Sequence, residues 1–157
     1  DESLVTGGRI AYLPVPNFEI GLSAASGNVA LPGENTRDYT VAGADFNWQV
    51  VGFDIKGEYI EQEVGELAGS VAPESAKWSS GYLQMAYRWL PSNWETAIRY
   101  TDFDSPHADD DQKQSAISMN YYLYANAVIK VMYAANDGET GATSDDDQIF
   151  AQISYGF

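Results

Sequence analysis

The chain has 157 residues, 23 Asp and Glu against 8 Lys and Arg, a formal charge of −15 and no cysteine. Its length suits one domain of ordinary size. The missing cysteine excludes a disulfide scaffold and thiolate chemistry, and the scarcity of Lys and Arg excludes a nucleic-acid partner, whose phosphates need cations.

Period-2 alternation recurs along the chain while helical spacing is nearly absent. It predicts strands over 4–13, 18–26, 39–48, 51–60, 78–90, 94–103, 115–124, 127–135 and 148–157. The connections alternate in kind. Pro14-Val15-Pro16-Asn17, Gln49-Val50, Pro91-Ser92-Asn93 and Ala125-Asn126 are short, whereas 27–38, 61–77, 104–114 and 136–147 are long and polar. In an up-and-down antiparallel sheet this puts all tight turns at one end and all long loops at the other, the asymmetry of an outer-membrane barrel. No apolar run reaches the ~18 residues of a membrane helix, so any crossing is made by strands.

One side of each strand is apolar, as in Phe18, Ile20, Leu22 or Ile117, Met119, Tyr121. The other carries Glu19, Asp54, Lys56, Glu58, Arg88, Glu95, Arg99 and Lys130. A soluble sandwich also alternates, but the aromatics favour lipid. Trp48, Trp89, Trp94, Tyr12, Phe18, Tyr121 and Tyr124 fall near the short turns, and Tyr59, Trp78, Tyr100 and Phe103 fall toward the long loops. Two aromatic rings around an aliphatic belt match the interfacial girdles of membrane barrels.

The last segment alternates Ile149, Ala151, Ile153, Tyr155 and Phe157 with Gln148, Phe150, Gln152, Ser154 and Gly156. Ile153, Tyr155 and the terminal Phe157 look like the address read by the outer-membrane assembly machinery, through strand addition at an open edge. An odd strand count places the two ends of the chain at opposite membrane faces, whereas single-chain bacterial barrels are even. The chain opens on Asp1 without a leader and reads as a processed or truncated product, the C-terminal portion of one larger barrel domain over 1–157.

Several segments resemble the phosphate-selective porin O and P family: the hairpin Gly8-Arg9-Ile10-Ala11-Tyr12-Leu13-Pro14-Val15-Pro16-Asn17-Phe18-Glu19-Ile20-Gly21-Leu22-Ser23, then Gly43-Ala44-Asp45-Phe46 with Gly57-Glu58-Tyr59, then Gly81-Tyr82-Leu83-Gln84-Met85-Ala86-Tyr87-Arg88, Glu95-Thr96-Ala97-Ile98-Arg99-Tyr100 and Ser118-Met119-Asn120-Tyr121-Tyr122-Leu123. The resemblance follows the order of the family's C-terminal half. It implies a trimeric, water-filled barrel of about 16 strands in a Gram-negative outer membrane, in contact with lipid and lipopolysaccharide.

Parity predicts that Arg9, Lys56, Arg88, Arg99 and Lys130 face the lumen with Glu19, Asp45, Asp54, Glu58 and Glu95, so that each cation has an acid available to neutralise it. Anion selectivity needs an unneutralised basic ladder, so a general channel for small hydrophilic solutes or ions is expected. The alternative is a structural sleeve around a partner. Asp109, Asp110, Asp111, Asp145, Asp146 and Asp147 are candidate loop ligands for Ca²⁺ or Mg²⁺, though neither triplet has EF-hand spacing. No other cofactor is expected. The single histidine, His107 in Ser105-Pro106-His107-Ala108-Asp109, stands in a predicted loop without a nucleophile strand, and no enzyme is expected.

Overall fold

The computed structural model describes residues 4–30, 35–106, 110–138 and 146–156. Among them run nine strands: β1 (Val5–Val15), β2 (Phe18–Val29), β3 (Arg37–Val50), β4 (Phe53–Val64), β5 (Ala76–Arg88), β6 (Trp94–Asp104), β7 (Gln112–Tyr124), β8 (Ala127–Gly138) and β9 (Gln148–Tyr155). They form one antiparallel sheet in sequence order. Each predicted strand is present, and most extend further toward the long loops than alternation suggests. Polar stretches continue the backbone ladder as readily as apolar ones, as where Gly27, Asn28 and Val29 pair with Tyr39, Asp38 and Arg37.

The register assigns every side chain to a face. Ile10, Leu22, Ala44 and Tyr59 lie in one cross-strand row on the apolar face, with Tyr12, Ile20, Phe46, Gly57, Leu83 and Tyr100 in the next. This face is the exposed one: Ile10 is 74% and Leu22 63% accessible. Among the described apolar residues only Ala86, Ala127 and Ala134 are buried, and no large side chain is fully buried. A water-soluble domain hides such side chains and leaves only small apolar patches in view. Here the usual distribution is reversed.

The rings of the apolar face gather near the turns. Phe18–Trp48, Phe53–Tyr87, Tyr87–Trp89 and Trp94–Tyr121 meet at centroid distances of 6.4, 4.5, 5.1 and 4.6 Å. Toward the loops, Tyr59, Tyr100 and Tyr133 share that face. Trp78 and Phe103, expected in the loop-side ring, instead face the polar side, paired with Gln62 and Ser80. Counting in twos from Leu83 and Tyr100 puts them there; nearness to the loops alone was misleading.

The second tight turn falls at Val51-Gly52, two residues after the expected Gln49-Val50, because Val50 pairs with Phe53. Both turn residues have positive φ, 41° at Val51 and 84° at Gly52, as a two-residue primed hairpin demands. Gly52 adopts this freely, whereas β-branched Val51 is strained. Each turn is also tied to the next hairpin. The carbonyls of Asn17, Gly52, Asn93 and Asn126 accept the N–H groups of Gln49, Arg88, Tyr122 and Gly156 at 2.8–2.9 Å.

Among the described residues β1 and β9 do not pair, so the sheet has two open edges. With nine alternating strands, β1 and β9 point the same way. Closure with antiparallel partners throughout therefore takes an odd number of further strands.

Candidate functional site on the polar face

The register brings all nine expected polar-wall residues, Arg9, Glu19, Asp54, Lys56, Glu58, Arg88, Glu95, Arg99 and Lys130, to a single face, together with Asp45. Their surroundings divide them.

Across β1–β3 the Arg9 guanidinium spans two acids. Its Nη2 donates to Glu19 Oε1 at 2.7 Å and to Asp45 Oδ1 at 2.5 Å, and its Nε donates to Asp45 Oδ2 at 2.9 Å. Reaching Asp45 means crossing β2 where Gly21 stands between Ala11 and Asp45. A Cβ at Gly21 would overlap the guanidinium and the Asp45 carboxylate. The missing side chain is what opens this path. The group remains substantially solvent-exposed.

Across β5–β7 the arginines are held by rings. The Arg88 guanidinium carbon lies 3.7 Å from the Tyr122 ring centre, and that of Arg99 lies 4.0 Å from the Tyr82 centre, both within cation–π range. Arg99 Nε also donates to Thr101 Oγ1 at 3.2 Å. Glu95 is the hub beside Arg88: its Oε1 accepts Asn120 Nδ2 at 2.8 Å, and both its oxygens accept the Tyr122 hydroxyl at 3.2 Å. Asn120 is buried, and its Oδ1 has no protein partner.

The expected cation-by-cation neutralisation is therefore corrected. Of the five wall cations only Arg9 forms ion pairs among the described residues. Lys56 lies between Asn47 and Gln84, and Lys130 between Asn120 and Gln152. Neither is within ion-pair distance of a described acid. Asp54 Oδ2 accepts a long 3.5 Å bond from Gln49 Nε2. The residues that sequence reading passed over are Tyr82 and Tyr122. Parity places both on the face that carries the arginines, and tyrosines sharing that face were the available signal.

The candidate loop ligands divide similarly. Asp111 Oδ1 accepts the Ser105 N–H at 2.8 Å, and Asp147 accepts the Tyr133 hydroxyl. The backbone carbonyl of Asp146 accepts Asn136 Nδ2 at 2.7 Å. Among the described residues no three potential ligands converge on a metal position. Asp109, Asp145 and His107 lie outside the described residues, as does Phe157. Ile153 and Tyr155 lie exposed on the apolar face of β9, opposite Ile129 and Ala127. Just beyond them, Asn126 and Gly156 exchange two bonds, Gly156 N to Asn126 O at 2.8 Å and Asn126 Nδ2 to Gly156 O at 2.6 Å.

No family model and no curated protein matches this chain. Among solved structures it is similar to a porin refined at 1.8 Å resolution, with a TM-score of 0.75 and 16% sequence identity, covering 100% of this chain and 52% of that one. The chain thus spans about half the length of that porin. The likeness is one of fold: an all-β, up-and-down wall similar to part of a porin barrel.

Proposed function

We propose that this sheet is part of a bacterial outer-membrane barrel whose polar face lines a water-filled, passive channel for small hydrophilic solutes or ions. One observation carries the reading: along the middle of the strands large apolar side chains stand exposed on one face, while Arg9, Glu19, Asp45, Asp54, Lys56, Glu58, Arg88, Glu95, Arg99 and Lys130 collect on the other. Lipid against the first and water against the second satisfies both. On β6 the apolar side is bounded by Trp94 near the turn and Tyr100 toward the loop, rings suited to the two interfaces of such a barrel. The open edges of β1 and β9 belong to the same proposal. Unpaired backbone groups in hydrocarbon cost several kcal/mol each, so further strands complete the wall.

The wall favours a general channel over a phosphate-specific one. Only Arg9 is ion-paired, and Arg88 and Arg99 keep their charge on tyrosine rings, but the five wall cations share their face with Glu19, Asp45, Asp54, Glu58 and Glu95, so the wall has no net positive field. Acidic loops outside the wall repel anions at low salt. Contact with lipid and lipopolysaccharide, assembly as a homotrimer, and recognition of Ile153, Tyr155 and Phe157 by the outer-membrane assembly machinery complete the proposal.

Reconstitution of the full-length protein in planar bilayers tests it. Discrete conductance steps, with a reversal potential weakly favouring cations that shifts toward zero as salt rises, are the expected result. A folded barrel that inserts without conducting would instead be the structural sleeve, and a protein monodisperse without detergent would overturn the membrane reading altogether.

A further inference from the structure

Arg37, the first residue of β3, lies at the loop end on the polar-face parity, since it pairs with Val29 two residues beyond Gly27 and Tyr39. It is a charged side chain at a sheet margin, yet it is only 8% exposed. What covers it is the connection between β4 and β5. Arg37 Nη1 donates to the Ala72 carbonyl at 2.9 Å, and Nη2 to Ser70 Oγ at 2.5 Å. The connection is folded on itself: Leu67 N donates to Pro73 O at 2.9 Å, Ser70 N to Leu67 O at 3.2 Å, and Ala72 N to Ser70 Oγ at 3.1 Å. Its start is fixed by Gly65 N donating to Asp38 O at 2.8 Å. A buried guanidinium is retained only where its donors are met, and removing one side of such an arrangement is costly.

Building on the channel reading, we infer that Arg37 is a positioning residue that clamps the 65–75 segment across the inner face of the wall, fixing the width of the loop-end mouth. The clamp holds Ser70 and Ala72 back against β3, and Glu66 and Glu74 travel with the same segment. Without it the segment loses its bonds from Arg37 and sweeps the opening more freely. Untethered loops move in ns–μs, and lid-like closures last μs–s.

The test compares wild type, Arg37→Ala and Ser70→Ala in the full-length barrel by single-channel recording in planar bilayers. Wild type is expected to hold a steady open level. Arg37→Ala is expected to lose it to repeated brief closures, and Ser70→Ala, which keeps the bond to Ala72, to do so less often. Should Arg37→Ala fail to fold, the Ser70→Ala trace decides. The chain has no cysteine, so Leu67→Cys supplies a second readout. Thiol labelling at this half-buried position should be at least about tenfold faster in the Arg37→Ala background, which loses both charge-assisted hydrogen bonds. Traces as quiet as wild type with unchanged labelling overturn the clamp. A wild-type barrel without conductance overturns the channel reading instead, and the labelling rates then decide the clamp alone.

Discussion

The β1–β3 and β5–β7 stretches of the polar face hold arginine in opposite ways. In the first, Arg9 lies between Glu19 and Asp45 in an exposed ion-pair cluster. In the second, Arg88 and Arg99 lie on tyrosine rings, and the acid beside them, Glu95, is occupied by Asn120 and Tyr122. An exposed ion pair contributes little and is screened by salt. A half-buried acid serving two neutral donors costs more to remove, because the donors are left without a partner. The two stretches should therefore respond differently to mutation and to ionic strength.

The largest effect is expected from Glu95→Ala, which strips the acceptor from Asn120 Nδ2 and the Tyr122 hydroxyl. It should lower stability by about 2–3 kcal/mol, read by urea unfolding of the barrel in lipid vesicles, with little change between low and high salt. Tyr122→Leu should follow at about 1–2 kcal/mol, losing both the ring under Arg88 and the hydroxyl bonds. Tyr122→Phe, which keeps the ring, should recover part of that loss. Arg9→Ala should cost less than either, and the cost should shrink as salt is raised. Smallest is Gly21→Ala, which pushes the guanidinium off its crossing without removing it; a loss below that of Arg9→Ala and a weaker salt dependence are expected. If Arg9→Ala proves as costly as Glu95→Ala at high salt, the distinction between the two stretches fails.

Strand number, face assignment and the alternation of turns and loops were legible because a period of two is a local property. The shared face of Arg9, Asp45 and Glu95 follows from counting alone. The partners were not legible. Which acid meets Arg9 depends on the stagger between β1 and β3 and on the gap at Gly21, and stagger is set by turn geometry rather than by alternation. The Val51-Gly52 turn shows the same limit, since an apolar β-branched residue in a left-handed conformation carries no turn signal. Arg37 was missed because its partners lie in a loop more than thirty residues on, where no periodicity reaches.

The central claim is that the apolar face meets lipid and the polar face meets water. Cysteine substitutions of neighbours on β6 test it most directly, because each is read against the parent barrel and these nine strands contribute no thiol of their own. With Ile98→Cys and Arg99→Cys barrels in lipid vesicles, a charged, membrane-impermeant thiol reagent should modify the residue-99 variant rapidly and the residue-98 variant barely, with a lipid-embedded quencher giving the reverse order. Equal labelling at both positions, or faster labelling at position 98, would contradict the claim.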